Sequence, residues 1–280
     1  MVREAYAVAL SCLGQRDQAI EQLRLAYATH KERAQKDPNA GPEVLDWYLA
    51  LSKVFPGEQA RDGERLQEEL SGGNSSLDDL IGLSRFWARS GQAGLSRGIE
   101  LARLGLSKCT PDDDRHRATA NEDLGGMLVM TGDMRGAAEA FTKVVELQPS
   151  NWSAMNNLAY ILSTELNEAS KAVPLAESLL KLAPGRPDIL DTVGWVFYKN
   201  NDLARAKQHL SDSLTILPTV DAYLHLAEVL ARSKDPAGAE KQLQAAEKLN
   251  PSPDQQQKIK SLRDDIAKGG SGPGGPAAGG

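Results

Sequence analysis

The side chains able to perform chemistry in this sequence are few and scattered. Four histidines stand at His30, His116, His209 and His225, and two cysteines at Cys12 and Cys109. None of these histidines pairs with acidic or cysteine neighbours at the spacing of a metal-ligand set, and no Cys-x-x-Cys pair is present. The nucleophile elbow GxSxG, the zinc motif HExxH and the phosphate loop GxxxxGK[ST] are absent. Asp112-Asp113-Asp114 is the one carboxylate run dense enough to suggest a cation site, and it reads as a solvated loop between helical segments. Cys12 and Cys109 fall about three helical hairpins apart, beyond the ~7 Å between Cα atoms that a disulfide can bridge, so two free thiols are expected. No catalytic residue, metal or cofactor is therefore expected.

The elements that must position any remaining function show as a repeat. Leu124, Leu158, Val193 and Leu226 stand 34, 35 and 33 residues apart. The next column, Gly125, Ala159, Gly194 and Ala227, is small throughout. Three residues later come Leu128, Leu162, Phe197 and Leu230, then Ala137, Ala172, Ala206 and Ala239, and each unit closes on a proline: Pro149, Pro184, Pro218 and Pro251. Apolar residues in the first half of each unit fall mostly at i, i+3, i+4 and i+7, which is one stripe of a helix. In the second half, the alanine shares a face with the residue four later. The small column lets a second helix approach closely, and the proline cannot continue the helix. Each unit is thus a helix–turn–helix whose neighbours bury a continuous core.

The order large–small–large, then Ala-x3-large, then Pro, recurring at about 34 residues, resembles the tetratricopeptide repeat. Four successive units over 118–253 carry the resemblance; Ala176 and Asn121 depart from it, where the family prefers a large and an aromatic residue. Upstream, 1–117 reads as three irregular hairpins, with breaks at 37–42, 71–76 and 109–114. Tyr6, Ala7 and Leu10 form the core stripe of the first helix. Residues 254–268 read as a polar capping helix and 269–280 as a disordered Gly/Pro tail. The expected fold is all-α, a right-handed solenoid of about seven helix hairpins plus the C-terminal capping helix.

The resemblance implies that the first helices line a concave, peptide-holding face. With units numbered from Ala118, Trp152, Pro187 and Val220, positions 2, 5, 6, 9, 12 and 13 point away from the core stripe at 100° per residue. Six acids lie there (Glu122, Asp123, Asp188, Asp191, Asp221, Glu228) against two bases (Lys199, Arg232), a balance of −4. Three aromatics, Tyr160, Trp195 and Tyr198, occupy positions that a solvated face would make polar. The candidate peptide site is Asn156, Asn157, Tyr160, Asp188, Asp191, Trp195 and Tyr198, with Tyr160 and Trp195 as near neighbours. Family members that clamp a chaperone's C-terminal carboxylate use Lys, Asn and Arg at positions filled here by Glu122, Gly126, Asn157, Asp188 and Thr192. Only Asn157 fits, and the acids would repel a carboxylate.

The expected function is a non-catalytic protein-binding scaffold whose partner is a basic or neutral protein segment. Its rivals are an accessory repeat region of a larger enzyme, such as a glycosyltransferase or protease, and a structural spacer. A net charge of −6 and a pI of 5.4, with no basic block, argue against nucleic acid and against adhesion to an anionic membrane. No apolar run approaches the ~18 residues of a spanning helix. The N-terminal stretch ending at Cys12 carries Glu4 and is too short for a signal segment, so it reads as an amphipathic helix. Its thin polar surface and missing N-cap point to upstream repeats, a covering partner or self-association through this edge. Localisation is cytoplasmic by default, and periplasmic if an upstream signal precedes this chain.

Overall fold

The structure is a computed structural model that describes residues 2–36 and 42–268. The break expected at 37–42 lies outside the described residues save for Pro42, and the tail at 269–280 lies wholly outside them. Among the described residues there are fifteen α-helices and no strands. Backbone contacts divide the chain into two units, Met1–Gln148 and Pro149–Gly280.

The first unit carries α1 (Val2–Cys12), α2 (Arg16–Lys36), α3 (Pro42–Val54), α4 (Ala60–Ser71), α5 (Leu77–Ala88), α6 (Gln92–Lys108), α7 (Asp114–Thr131) and α8 (Met134–Leu147). Its hairpins are uneven. After Pro56 a single 3-10 turn, Gly57–Gln59, leads into α4, and α3 packs mainly on α1, α2 and α5 rather than on α4. The apolar core gathers Leu23, Trp47, Tyr48, Leu51, Phe55 and Phe86, all fully or almost fully buried. Asp79 lies against this core. Ser76 caps α5 by accepting from the Asp79 backbone N–H, and the Asp79 carboxylate accepts from the Ser76 N–H and hydroxyl. The carboxylate also accepts from the Tyr48 hydroxyl at 2.9 Å.

One expected face is turned. Tyr6 does not sit on the core stripe of α1; it is 53% exposed, while Glu4, Ala7 and Leu10 are buried. The cause is polar. Glu4 Oε1 lies 2.7 Å from His30 Nε2 on α2, and seating that pair rotates Tyr6 towards solvent. Both cysteines are free thiols. Asp113 is the N-cap of α7, accepting from the His116 N–H, and Asp114 pairs with Arg117. The acidic run therefore opens a helix.

The second unit carries α9 (Trp152–Tyr160), α10 (Ala169–Leu182), α11 (Pro187–Lys199), α12 (Leu203–Ile216), α13 (Val220–Arg232), α14 (Pro236–Glu247) and α15 (Pro253–Ala267). Its turns share one device. Asn201 and Lys234 adopt positive φ, and the next residue, Asp202 or Asp235, caps the following helix through its side chain. Gly132 and Asp133 do the same between α7 and α8 of the first unit. The alanine column marks the closest contacts: Ala172, Ala206 and Ala239 are fully buried. A Cβ built on Gly194 would lie 2.7 Å from Leu210 Cγ, so only glycine fits between α11 and α12 at this depth.

The turn after α9 is different. Ile161–Glu165 is a π-helical turn, with the Leu166 N–H donating to the Ile161 carbonyl five residues back. It holds one residue more than an α-turn. The surplus accounts for the 35-residue step between Leu158 and Val193, against 34 and 33 for the steps on either side.

Candidate functional site

Within the second unit the first helices α9, α11 and α13 lie side by side, and α15 continues the row. A cavity of about 250 Å³ opens between them. Tyr160 and Thr164 contribute from α9 and its π turn, and Trp195 from α11. Asp221, Leu224, His225 and Glu228 come from α13, and Lys258, Ser261 and Leu262 from α15. Tyr160 and Trp195 thus share one cavity, as neighbours on adjacent helices.

The two rings play unequal parts. Tyr160 is 41% exposed and offers a free ring surface. Trp195 is only 6% exposed. It stacks on His225 with ring centroids 4.1 Å apart, and Tyr198 lies tilted against it at 4.9 Å. The Lys199 ammonium lies over its ring at 5.1 Å. The Trp195 indole N–H donates to Thr164 Oγ1 at 3.0 Å, so the π turn supplies the indole's partner. π-turns inside α-helices commonly mark functional positions, and this one aims Thr164 at the cavity.

The other expected site residues are placed as follows. Tyr198 is fully buried beneath the cavity and does not line it; α11 packs on first helices at both flanks, which takes this position out of solvent. Asn156 is half-buried, with Oδ1 out of solvent and unpartnered, and Asn157 is exposed; neither lines the cavity. Asp188 is exposed and paired with Arg186 at 2.8 Å. Burial works against its charge, but the Arg186 bond holds the carboxyl below its ordinary range. Asp191 is half-buried and lies 2.9 Å from His225 Nδ1. The acidic balance read from the sequence is therefore partly cancelled at Asp188 by Arg186, while Asp221 accepts from the neutral Gln255 amide at 3.0 Å and keeps its charge.

Sequence spacing missed that histidines pair with acids across helices. His30 joins Glu4, and His116 joins Asp78, besides meeting Asp113, the N-cap of its own helix. His225 joins Asp191. Among the described residues these do not build into groups of three or more that could hold a metal ion.

Glu228 is the electrostatically unusual member of the cavity. Burial pushes its carboxyl up to about 7, against the ordinary 4.5, while His225, Lys199 and Lys258 pull the other way. Its Oε2 is out of solvent and unpartnered, as are the Tyr198 hydroxyl and Arg232 Nη1. The Tyr198 hydroxyl is pushed up to about 12, first by burial and then by Glu228. The consequence for stability has a definite sign. Below about pH 4.5 the carboxyl is neutral in both folded and unfolded chains, so it adds no penalty. Between there and about 7 the folded state holds a proton that the unfolded state releases, and stability falls as pH rises. Replacing Glu228 by Gln should therefore stabilise the chain by roughly 1–3 kcal/mol near pH 8 and by much less near pH 5. Melting curves of both proteins at the two pH values test this; an equal shift at both would refute it.

The repeat pattern of the tetratricopeptide family matches residues 118–187 and 194–253. Those residues carry tetratricopeptide repeats. Over 85 residues, 30% of its length, it is 36% identical to a TPR repeat-containing protein of Pseudomonas aeruginosa, and the match covers 14% of that protein. Over 91 residues, 32% of its length, it is 30% identical to the interferon-induced protein with tetratricopeptide repeats 2 of Cricetulus griseus, covering 19% of it. The chain thus spans less than a fifth of either relative. Among solved structures it is similar to YrrB, described as a TPR protein with an unusual peptide-binding site. That likeness has a TM-score of 0.55 and 17% identity, over 69% of this chain and 96% of the other. MamA 41-end from Desulfovibrio magneticus RS-1 gives a TM-score of 0.53 at 17% identity, over 64% and 99%. At such identities the likeness is one of fold. The tetratricopeptide fold places the cavity on the first-helix row, and α15 occupies the place of a further first helix.

Proposed function

We propose that this chain is a non-catalytic scaffold that holds a protein segment along the row of α9, α11, α13 and α15. The observation carrying this reading is the cavity itself: a partly exposed tyrosine and a buried indole lining one space, walled by four helices of one unit. Partly enclosed aromatic anchors commonly dominate binding energy. The tetratricopeptide fold fits a protein-binding role, and a fold neighbour is described as having a peptide-binding site. In this reading α9, α11 and α13 form the binding row of the second unit, and α15 serves as both cap and wall. Asn157, exposed on α9, presents an amide able to bond a peptide backbone. The acids left on this face favour a basic or neutral segment over an acidic one.

Tyr160→Ala tests the reading, because this ring is exposed enough to be removed without breaking the core. Affinity capture followed by mass spectrometry should show the partner's recovery falling by about tenfold or more. The melting temperature should change little. Undiminished capture by a folded Tyr160→Ala chain would sink the proposal.

A further inference from the structure

We infer that the cavity between α9, α11, α13 and α15 is a socket for one cationic side chain, lysine or arginine, of the bound segment. The inference rests on the scaffold reading above and names what the site selects.

Size comes first. At about 250 Å³ the cavity lies just under the ~300–1,000 Å³ typical of small-molecule pockets, and suits one long side chain better than a stretch of peptide. Its walls suit the two ends of such a side chain. Leu224 and Leu262 offer apolar surface to an aliphatic stem, and the Tyr160 ring offers its π face to a cation. The acidic groups lie at two depths, Asp221 exposed and Glu228 half-buried, and an incoming cation would displace the proton that burial keeps on Glu228. Glu228 Oε2 is withdrawn from water and has only the Tyr198 hydroxyl as a loosely placed donor, so a better-aimed donor would offset part of the cost of its burial.

The surrounding field has the same sign. Three carboxylates, Glu165, Asp221 and Asp191, act on the Tyr160 hydroxyl. The unit already places one cation against these rings, since Lys199 lies over the Trp195 indole. Lys258 also lines the cavity, but it is exposed and stands on the helix that closes the row. It is an internal competitor for a cationic guest. That role gives the proposal a sharp sign: removing Lys258 should help a cation and harm an anion.

The test titrates the full chain with N-acetyl-arginine amide, N-acetyl-lysine amide, N-acetyl-norleucine amide and N-acetyl-glutamate amide. The readout is the NMR resonance of the Trp195 indole N–H, assigned by its loss in Trp195→Phe. The two cationic probes should shift it with Kd values about tenfold or more below that of norleucine. Glu228→Gln should weaken them about tenfold, and Lys258→Ala should tighten them several-fold. Should Glu228→Gln fold poorly, Asp221→Asn, at an exposed position, should weaken them in the same direction. Equal binding of norleucine and the cations would overturn the socket, as would glutamate binding that Lys258→Ala weakens. So would the absence of any shift at millimolar probe. If that absence is joined by partner capture that still depends on Tyr160, the socket is wrong and the groove stands; if capture also survives Tyr160→Ala, the groove reading falls with it.

Discussion

Asp79→Ala should destabilise the Met1–Gln148 unit by about 2–4 kcal/mol, because it removes the shared acceptor of a buried network. Asp79 is only 7% exposed, and its carboxylate accepts from the Ser76 N–H and hydroxyl and from the buried Tyr48 hydroxyl. Tyr27 contributes a longer contact, 3.4 Å from hydroxyl to carboxylate. Alanine leaves the Tyr48 hydroxyl without its partner and breaks the reciprocal cap of α5 at once. Neighbouring packing prevents Tyr48 from swinging out to water. A Cβ built on Gly82 would lie 2.0 Å from Tyr48 Cδ2, so the ring fills the notch that this glycine leaves open. The Trp47 indole packs edge-on against Tyr48 at 4.8 Å and is itself tied by its N–H to the Leu23 carbonyl. Urea denaturation gives the magnitude, and hydrogen exchange should place the loss in α2, α3 and α5. A variant with an unchanged midpoint would show that the network does not hold this unit.

Trp195→Ala should cost about 3–5 kcal/mol, the usual range for deleting a large buried aromatic side chain. The ring is stacked on His225 and lies against Tyr198, and its N–H holds Thr164 of the π turn. Loss of protection should concentrate in α9, α11 and α13, since a repeat unit leans on its neighbours. Loss spread evenly over every described helix would contradict that locality. The size of the effect also makes Trp195→Ala a poor probe of binding: affinity would fail with the fold. Tyr160→Ala separates the two.

Much of this was legible in the sequence. The columns headed by Leu124 and Gly125 set the hairpins and their register, because a solenoid repeats its contacts and so its residue types. The burial of Trp195 and Tyr198 was not legible. Periodicity assigns each residue a direction around its helix, but not the number of neighbours that helix has. α11 meets α9 on one flank and α13 on the other, so positions that would face water on an isolated hairpin are closed off. The π turn was visible only as an odd 35-residue step. Nothing in ILSTE distinguishes a residue added within a helix from one added in a loop. Tyr6 escaped for a third reason: a pair 26 residues apart in sequence, Glu4 and His30, decides which way α1 turns. The cavity wall on α15 could have been read. Counted from Pro253, Lys258 and Ser261 fall at positions 6 and 9, the same positions that His225 and Glu228 hold when counted from Val220.

That shared count has a practical consequence for anyone building with this scaffold. The edge α13 shows to α15 is the edge it would show to a copy of itself, because both successors begin with the same phase. Duplicating residues 220–252 immediately before Pro253 would add a complete hairpin whose joint to α15 already exists in the parent. The new first helix would bring its own Asp221, His225 and Glu228 equivalents one helix spacing, about 8–10 Å, along the row, without a second Tyr160 or Trp195. The chain can in this sense be lengthened as a ruler is, by repeating its last graduation.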